Sequence, residues 1–280
     1  MKKIVLPTDF SDNALNAINY ALQLFKNDVC TFYLLNTYTP MIYTYEYQIN
    51  ADQHMMEAVD LVKKTSQTKL DKLLISLKNK YKNPKHTFTT VSSFSVLSDE
   101  VVEFADMHNI DLVVMGTKGA SKAREVLFGS NTIHVIKKAK CPVLAIPENF
   151  DFEAPKEILF PTDYKVNFRS TSLTLLSELA NMFNPRLNIL HTFNDNELSE
   201  DQIKNKQALG NYFSTTAHLF HNVSNQKLTD AIEKFQLRAK INLLVMINTR
   251  HSFFEKLFSK SAIHEIALHL NIPLLVIPAK

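Results

Sequence analysis

Glycine is scarce in this 280-residue chain: there are four, and three of them, Gly116, Gly119 and Gly129, fall within MGTKGASKAREVLFGSNT, Met115 to Thr132. A chain so poor in glycine is not using it as filler, so each of the three needs a local reason, either positive φ or a backbone that must approach a ligand closely. Cysteine is scarcer still. Cys30 and Cys141 each open an apolar, strand-like run without metal-type spacing, and they read as buried thiols of a reducing compartment, not as a disulfide. No apolar run approaches the length of a membrane span, and the one in MKKIVLPTDF is too short for the core of a signal peptide, so a cytoplasmic protein is expected. Neither charge sign dominates: 31 Lys and Arg against 28 Asp and Glu are interspersed and give +3, which argues against a dedicated nucleic-acid binder. With 45% hydrophobic and 21% charged residues the composition is that of a globular chain, and the length suggests about two domains.

The apolar pattern alternates strands with helices. KKIVLPT, from Lys2 to Thr8, reads as a short buried strand. Asp9, Ser11 and Asp12 can each cap a helix whose apolar positions run from Ala14 to Phe25 at spacings of three and four. Then follow a strand from Val29, an aromatic stretch without period, and a long helix from about Ala51 to Tyr81. A strand from His86, a helix over VLSDEVVEFADMHN, the strand IDLVVM, the glycine stretch, a helix from Asn131 and the strand CPVLAIP complete the unit. Continuous apolar strands between helices predict a parallel sheet covered on both faces, an α/β doubly wound fold whose crevice lies beyond the carboxyl ends of the strands.

The pattern then begins again. EILFPTDYKVNF repeats KIVLPTDFSDNA at an offset of 154, with Pro161, Thr162 and Asp163 where Pro7, Thr8 and Asp9 stood. INLLVM repeats IDLVVM, and IPLLVIP repeats CPVLAIP, at an offset of 131. The second copy is therefore 23 residues shorter, and the loss falls mostly after its second strand. Two domains are predicted, 1–148 and 156–280, joined by the polar segment ENFDFEAPK and packed as an intramolecular pseudo-dimer through their last strands. A homodimer of the whole chain is left open.

The glycine stretch follows a strand and leads into a helix, the arrangement that offers backbone N–H groups to a phosphate. Its spacing is neither that of a P-loop nor that of a dinucleotide fold. It matches Gly-x2-Gly-x9-Gly-Ser/Thr, which resembles the ATP-binding motif of the universal stress protein family. A plainer reading has Gly116 ending a strand, Gly119 making a turn and Ser130 capping a helix. PTDFS, the loop, CPVLAIP and the duplication extend the resemblance over nearly the whole chain, as a tandem of two such units with five-stranded, Rossmann-like parallel sheets.

The resemblance implies adenine-nucleotide binding, with ATP, and Mg²⁺ arriving with it, as the cofactor. It places Asp9 and Gly116 at the ribose, with Pro7, Thr8 and Met115 beside them, and Gly119, Gly129, Ser130, Asn131 and Thr132 at the phosphates. Adenine would meet the backbone of Asn36 and Thr37. Asp9 can equally cap the first helix, and the two roles are compatible. Tyr38, Tyr43, Tyr45 and Tyr47 could cover the base or simply pack. Lys118, Lys122 and Arg124 could meet phosphate or stand in solvent. His218 and His221 would point to opposite faces of a strand, so no metal site is assigned.

In the second copy Ile247, Arg250 and Lys260 replace the three glycines, while Ser252 and Ser261 persist, so that half is expected not to bind ATP in the same way. No paired carboxylates with a nucleophile, Gly-x-Ser-x-Gly elbow or Cys–His constellation can be picked out, and no catalytic residue is assigned. The expected function is a nucleotide-binding regulatory protein of the stress response with an unknown protein partner. A slow ATPase or nucleotide-dependent transferase, and a partner-binding protein with a vestigial pocket, are the alternatives.

Overall fold

The computed structural model describes residues 1–38, 52–118, 128–168, 172–193, 197–249 and 271–279. The first half runs β1 (Lys2–Pro7), α1 (Asp12–Leu24), β2 (Cys30–Tyr38), α2 (Asp52–Tyr81), β3 (His86–Phe94), α3 (Leu97–Met107), β4 (Leu112–Gly116), α4 (Ser130–Lys138) and β5 (Val143–Ile146). The second runs β6 (Glu157–Pro161), α5 (Thr174–Phe183), β7 (Arg186–Phe193), α6 (Glu200–Tyr212), β8 (His218–Ser224), α7 (Leu228–Ala239), β9 (Leu243–Asn248) and β10 (Leu274–Pro278).

These strands form one sheet in the order β3-β2-β1-β4-β5-β10-β9-β6-β7-β8. Within each half every pairing is parallel, and the halves meet where β10 runs antiparallel to β5, Leu275 opposite Leu144. This is the contact expected between CPVLAIP and IPLLVIP. Each strand would be too apolar to stand as an exposed edge, and pairing removes both edges at once. The sheet order also makes β1 and β4 neighbours, so the crevice between their carboxyl ends is where strand order reverses.

Side chains along β1 alternate: Ile4 and Leu6 enter the core under α1, α2, α5 and α6, whereas Val5 enters the one under α3, α4 and α7. Both cores continue across the seam, since each holds residues of both halves. A sheet covered on both faces explains why its central strands are unbroken apolar runs.

Helix α1 starts where Ser11 accepts a hydrogen bond from the Ala14 N–H at 3.2 Å, so Ser11, not Asp9 or Asp12, is its cap. The shortening of the second half is located as expected: 47 residues, 39–85, separate β2 from β3, and 24, 194–217, separate β7 from β8. Helix α2 has 30 residues where α6 has 13. The segment joining the halves is anchored, not loose. Asn16 donates to the carbonyls of Pro147 and Phe150 at 3.1 and 3.0 Å, and Phe152 lies edge-on to the buried Tyr20 at 5.1 Å. Among the described residues no helix is long and apolar enough to cross a membrane.

Candidate functional site

The turn after β1 is built by its own side chains. Thr8, 2% exposed, donates its N–H to Leu35 O at 2.8 Å, and its Oγ1 accepts from the Phe10 N–H at 3.0 Å. Asp9 Oδ1 accepts from the Ser11 N–H at 3.0 Å and stays solvent-exposed. Phe10 takes a left-handed conformation, φ 65°, to close the turn. The second half repeats it: Thr162 donates its N–H to Leu190 O at 2.9 Å, its Oγ1 accepts from Tyr164 N–H, Asp163 Oδ1 accepts from Lys165 N–H, and Tyr164 has φ 55°. The left-handed region is costly for an aromatic residue, and three hydrogen bonds in each turn hold it there.

Beside this turn, β2 ends at Asn36 and Thr37. The Asn36 side chain is buried; its Nδ2 donates to Thr8 O at 2.7 Å and its Oδ1 accepts from Ser66 of α2, whose hydroxyl also meets Ser92 of β3. Tyr38 packs on Phe94, its partner in the sheet, with ring centroids 5.8 Å apart.

Across the crevice β4 ends at Met115 and Gly116, both buried. Thr132, 3% exposed in the first turn of α4, donates its hydroxyl to Gly116 O at 3.0 Å, and the Gly129 N–H donates to Thr117 O at 2.7 Å. These bonds fasten the start of α4 to the end of β4. Gly129 is the helix N-cap and supplies no side-chain hydrogen bond, no acidic residue occupies the first turn, and Ser130 and Asn131 are exposed. The positive end of the α4 dipole thus lies at Ser130 and Asn131, where it favours an anion by about 0.3–1 kcal/mol at an exposed site.

The structure thus brings Pro7, Thr8, Asp9, Asn36, Thr37, Met115, Gly116, Gly129, Ser130, Asn131 and Thr132 to the carboxyl ends of β1, β2 and β4. Gly119, Lys122, Arg124, Tyr43, Tyr45 and Tyr47 lie outside the described residues.

Positive φ is not why the described glycines are there. Gly129 has φ −62° and ψ 156°, and no described glycine has positive φ. Gly116 instead makes room for Asn13: a Cβ added to it would stand 2.8 Å from the Asn13 Cγ and Nδ2. Asn13, 4% exposed in the first turn of α1, uses that position to donate to Lys118 O at 2.7 Å, tying the beginning of the glycine loop to α1. Its Oδ1 has no hydrogen-bond partner among the described residues. The sequence reading missed Asn13, although the repeat offered a signal, since Asn167 stands at the same place after the second PTD. At the position matching Gly116, Ile247 is buried in the core on the same face of the sheet, while 250–270 lie outside the described residues.

His218 and His221 point to opposite faces of β8. His218 packs against Phe220 beside α6, and His221 lies 4.8 Å from Phe235 of α7 and against Asn188.

Known proteins share both the sequence of the first half and the fold of the whole. A universal stress protein of Methanocaldococcus jannaschii is 32% identical over 148 residues, covering 52% of this chain and 81% of that one. A second from the same organism is 27% identical over 162 residues, covering 52% of this chain and 94% of its own. The crystal structure of a universal stress protein from Archaeoglobus fulgidus matches 99% of this chain and 96% of its own with a TM-score of 0.67 at 17% identity, a likeness of fold. The model of the universal stress protein family matches residues 1–147, the span that contains the Thr8–Asp9 turn, the glycine loop and α4, and the chain belongs to that family.

Proposed function

We propose that this protein is an ATP-binding regulatory protein of the stress response, built as two universal-stress-protein domains, 1–148 and 156–280, with the nucleotide held by the first. The observation that carries this reading is the N-terminus of α4. It lacks a capping side chain and first-turn carboxylates, and it is fastened by Thr132 and Gly129 directly beyond β4, one strand from the exposed Asp9. A phosphate chain would sit on the N–H groups of Ser130, Asn131 and Thr132, and the Asp9 carboxylate would accept from ribose hydroxyls. Magnesium would arrive with the nucleotide, held mainly by its phosphates.

Binding, not turnover, is the function we assign. Among the described residues, the buried polar side chains around the crevice build it: Thr8 in its turn, Asn36 on Thr8, Asn13 on Lys118 and Thr132 on Gly116. The decisive variant is Gly129→Val. The backbone at Gly129 lies in the extended region open to any residue, so the fold should survive. A branched side chain where phosphate meets backbone should lower ATP affinity by about tenfold or more, equivalent to about 1.4 kcal/mol. Unchanged affinity in a folded variant would end the proposal.

A further inference from the structure

Helix α4 is short and poorly capped at both ends. Its nine residues span about 14 Å. At the N-terminus Gly129 offers no side chain. At the C-terminus Ala139 is extended, φ −62° and ψ 138°, and not in the left-handed turn that usually satisfies the last carbonyls. Those carbonyls are met from the other half of the molecule. Asn248, the last residue of β9, donates its Nδ2 to Ile136 O at 3.1 Å and lies 3.5 Å from Lys137 O. Its own position is fixed by the sheet, where it is paired with Pro278 and its carbonyl accepts from the Ala279 N–H at 3.2 Å.

We propose that Asn248 is a positioning residue for the phosphate site: the second half clamps the far end of α4 and so holds in place the N–H groups at its near end. This rests on the function proposed above. The clamp has the right polarity, because an amide N–H aimed at a helix C-terminus meets orphan carbonyls and the negative end of the dipole. It has reach because helix formation is cooperative, and in so short a helix fraying at one end weakens the other. The first bond of the helix, Ile133 N–H to Gly129 O at 3.1 Å, sits at the residues meant to meet phosphate. Asn248 also stands 131 residues after Thr117, whose carbonyl holds the Gly129 N–H. The strand end that fastens the near end of α4 in the first half thus has its counterpart fastening the far end from the second. A half whose own glycine positions are filled by Ile247, Arg250 and Lys260 then still serves nucleotide binding, from the other side of the seam.

The test uses the full-length chain with Asn248→Ala, Asn248→Asp and Asn248→Gln. In nucleotide-free protein, exchange of the Ile133 amide should rise about threefold or more with Ala and Asp, as loss of one net hydrogen bond implies. It should return toward the parent with Gln, while the Ile4 and Val5 amides in β1 exchange as before. ATP affinity should fall by a similar factor with Ala and Asp and recover with Gln. Unchanged Ile133 exchange, a loss that Gln does not repair, or raised exchange with unaltered ATP affinity would each overturn the clamp. If the parent chain itself binds no ATP, the function proposed above fails, and the Ile133 exchange alone decides whether Asn248 positions α4.

Discussion

Replacing Gly116 with alanine tests whether the close approach of Asn13 is what fixes the glycine loop. The backbone at Gly116 is not in the left-handed region, so on conformational grounds alone the change should stabilise the fold by about 0.4–1 kcal/mol. Packing around Gly116 acts with the opposite sign. A Cβ 2.8 Å from two Asn13 atoms and 3.0 Å from its Oδ1 cannot coexist with the observed rotamer. Forced overpacking costs about 1–3 kcal/mol. Displacing Asn13 also forfeits its 2.7 Å bond to Lys118 O, worth about 1 kcal/mol net. Less the backbone gain, the two costs leave Gly116→Ala destabilised by about 1–3.6 kcal/mol. Asn13→Ala should cost about 1–2 kcal/mol alone, and in the double variant the clash disappears and the Lys118 bond is lost only once, so the two changes should fall short of additivity by about 2–4 kcal/mol. Urea unfolding with linear extrapolation measures all four corners of the cycle. A Gly116→Ala protein at least as stable as the parent, or strict additivity, would refute the reasoning.

Two further predictions concern titratable groups. Burial holds His86 and His221 below the ordinary imidazole value, so their neutral forms favour the folded state: that stability is complete above about pH 6.5 and is lost as pH falls through the lowered folded-state values. Unfolding free energy should decline as pH falls below about 6.5, and His86→Gln with His221→Gln should flatten the decline; an unchanged slope would contradict it. Burial raises the Cys30 and Cys141 thiols to about 11, and both are free, so a thiol reagent at neutral pH should label neither quickly in the native protein and both after denaturation. Rapid labelling of Cys30 in the native state would show that its burial is overstated.

The order of elements was legible because the central strands β1, β4, β5, β9 and β10 are continuous apolar runs and helices such as α1 repeat at three to four residues, and the 154 and 131 offsets exposed the repeat. The seam was legible too, since CPVLAIP and IPLLVIP are too apolar to stand as edges. The reason for Gly116 was not. Sequence reading offers positive φ or ligand approach as grounds for a glycine, whereas the ground here is the side chain of Asn13, about 100 residues away. Asn36 was placed by its backbone, and the network joining its side chain to Thr8, Ser66 and Ser92 depends on three elements whose register no local pattern reveals. Asn248 escaped for the same reason, because its partners belong to a helix of the other half.

The central claim, one nucleotide site in the first half and none in the second, is tested most directly by titrating ATP into the intact chain in a calorimeter, with Gly129→Val and Asp163→Ala variants alongside. The account predicts one nucleotide per chain, lost with Gly129→Val and kept with Asp163→Ala. A stoichiometry of two that drops to one with Asp163→Ala, or no binding by the parent chain, would contradict it.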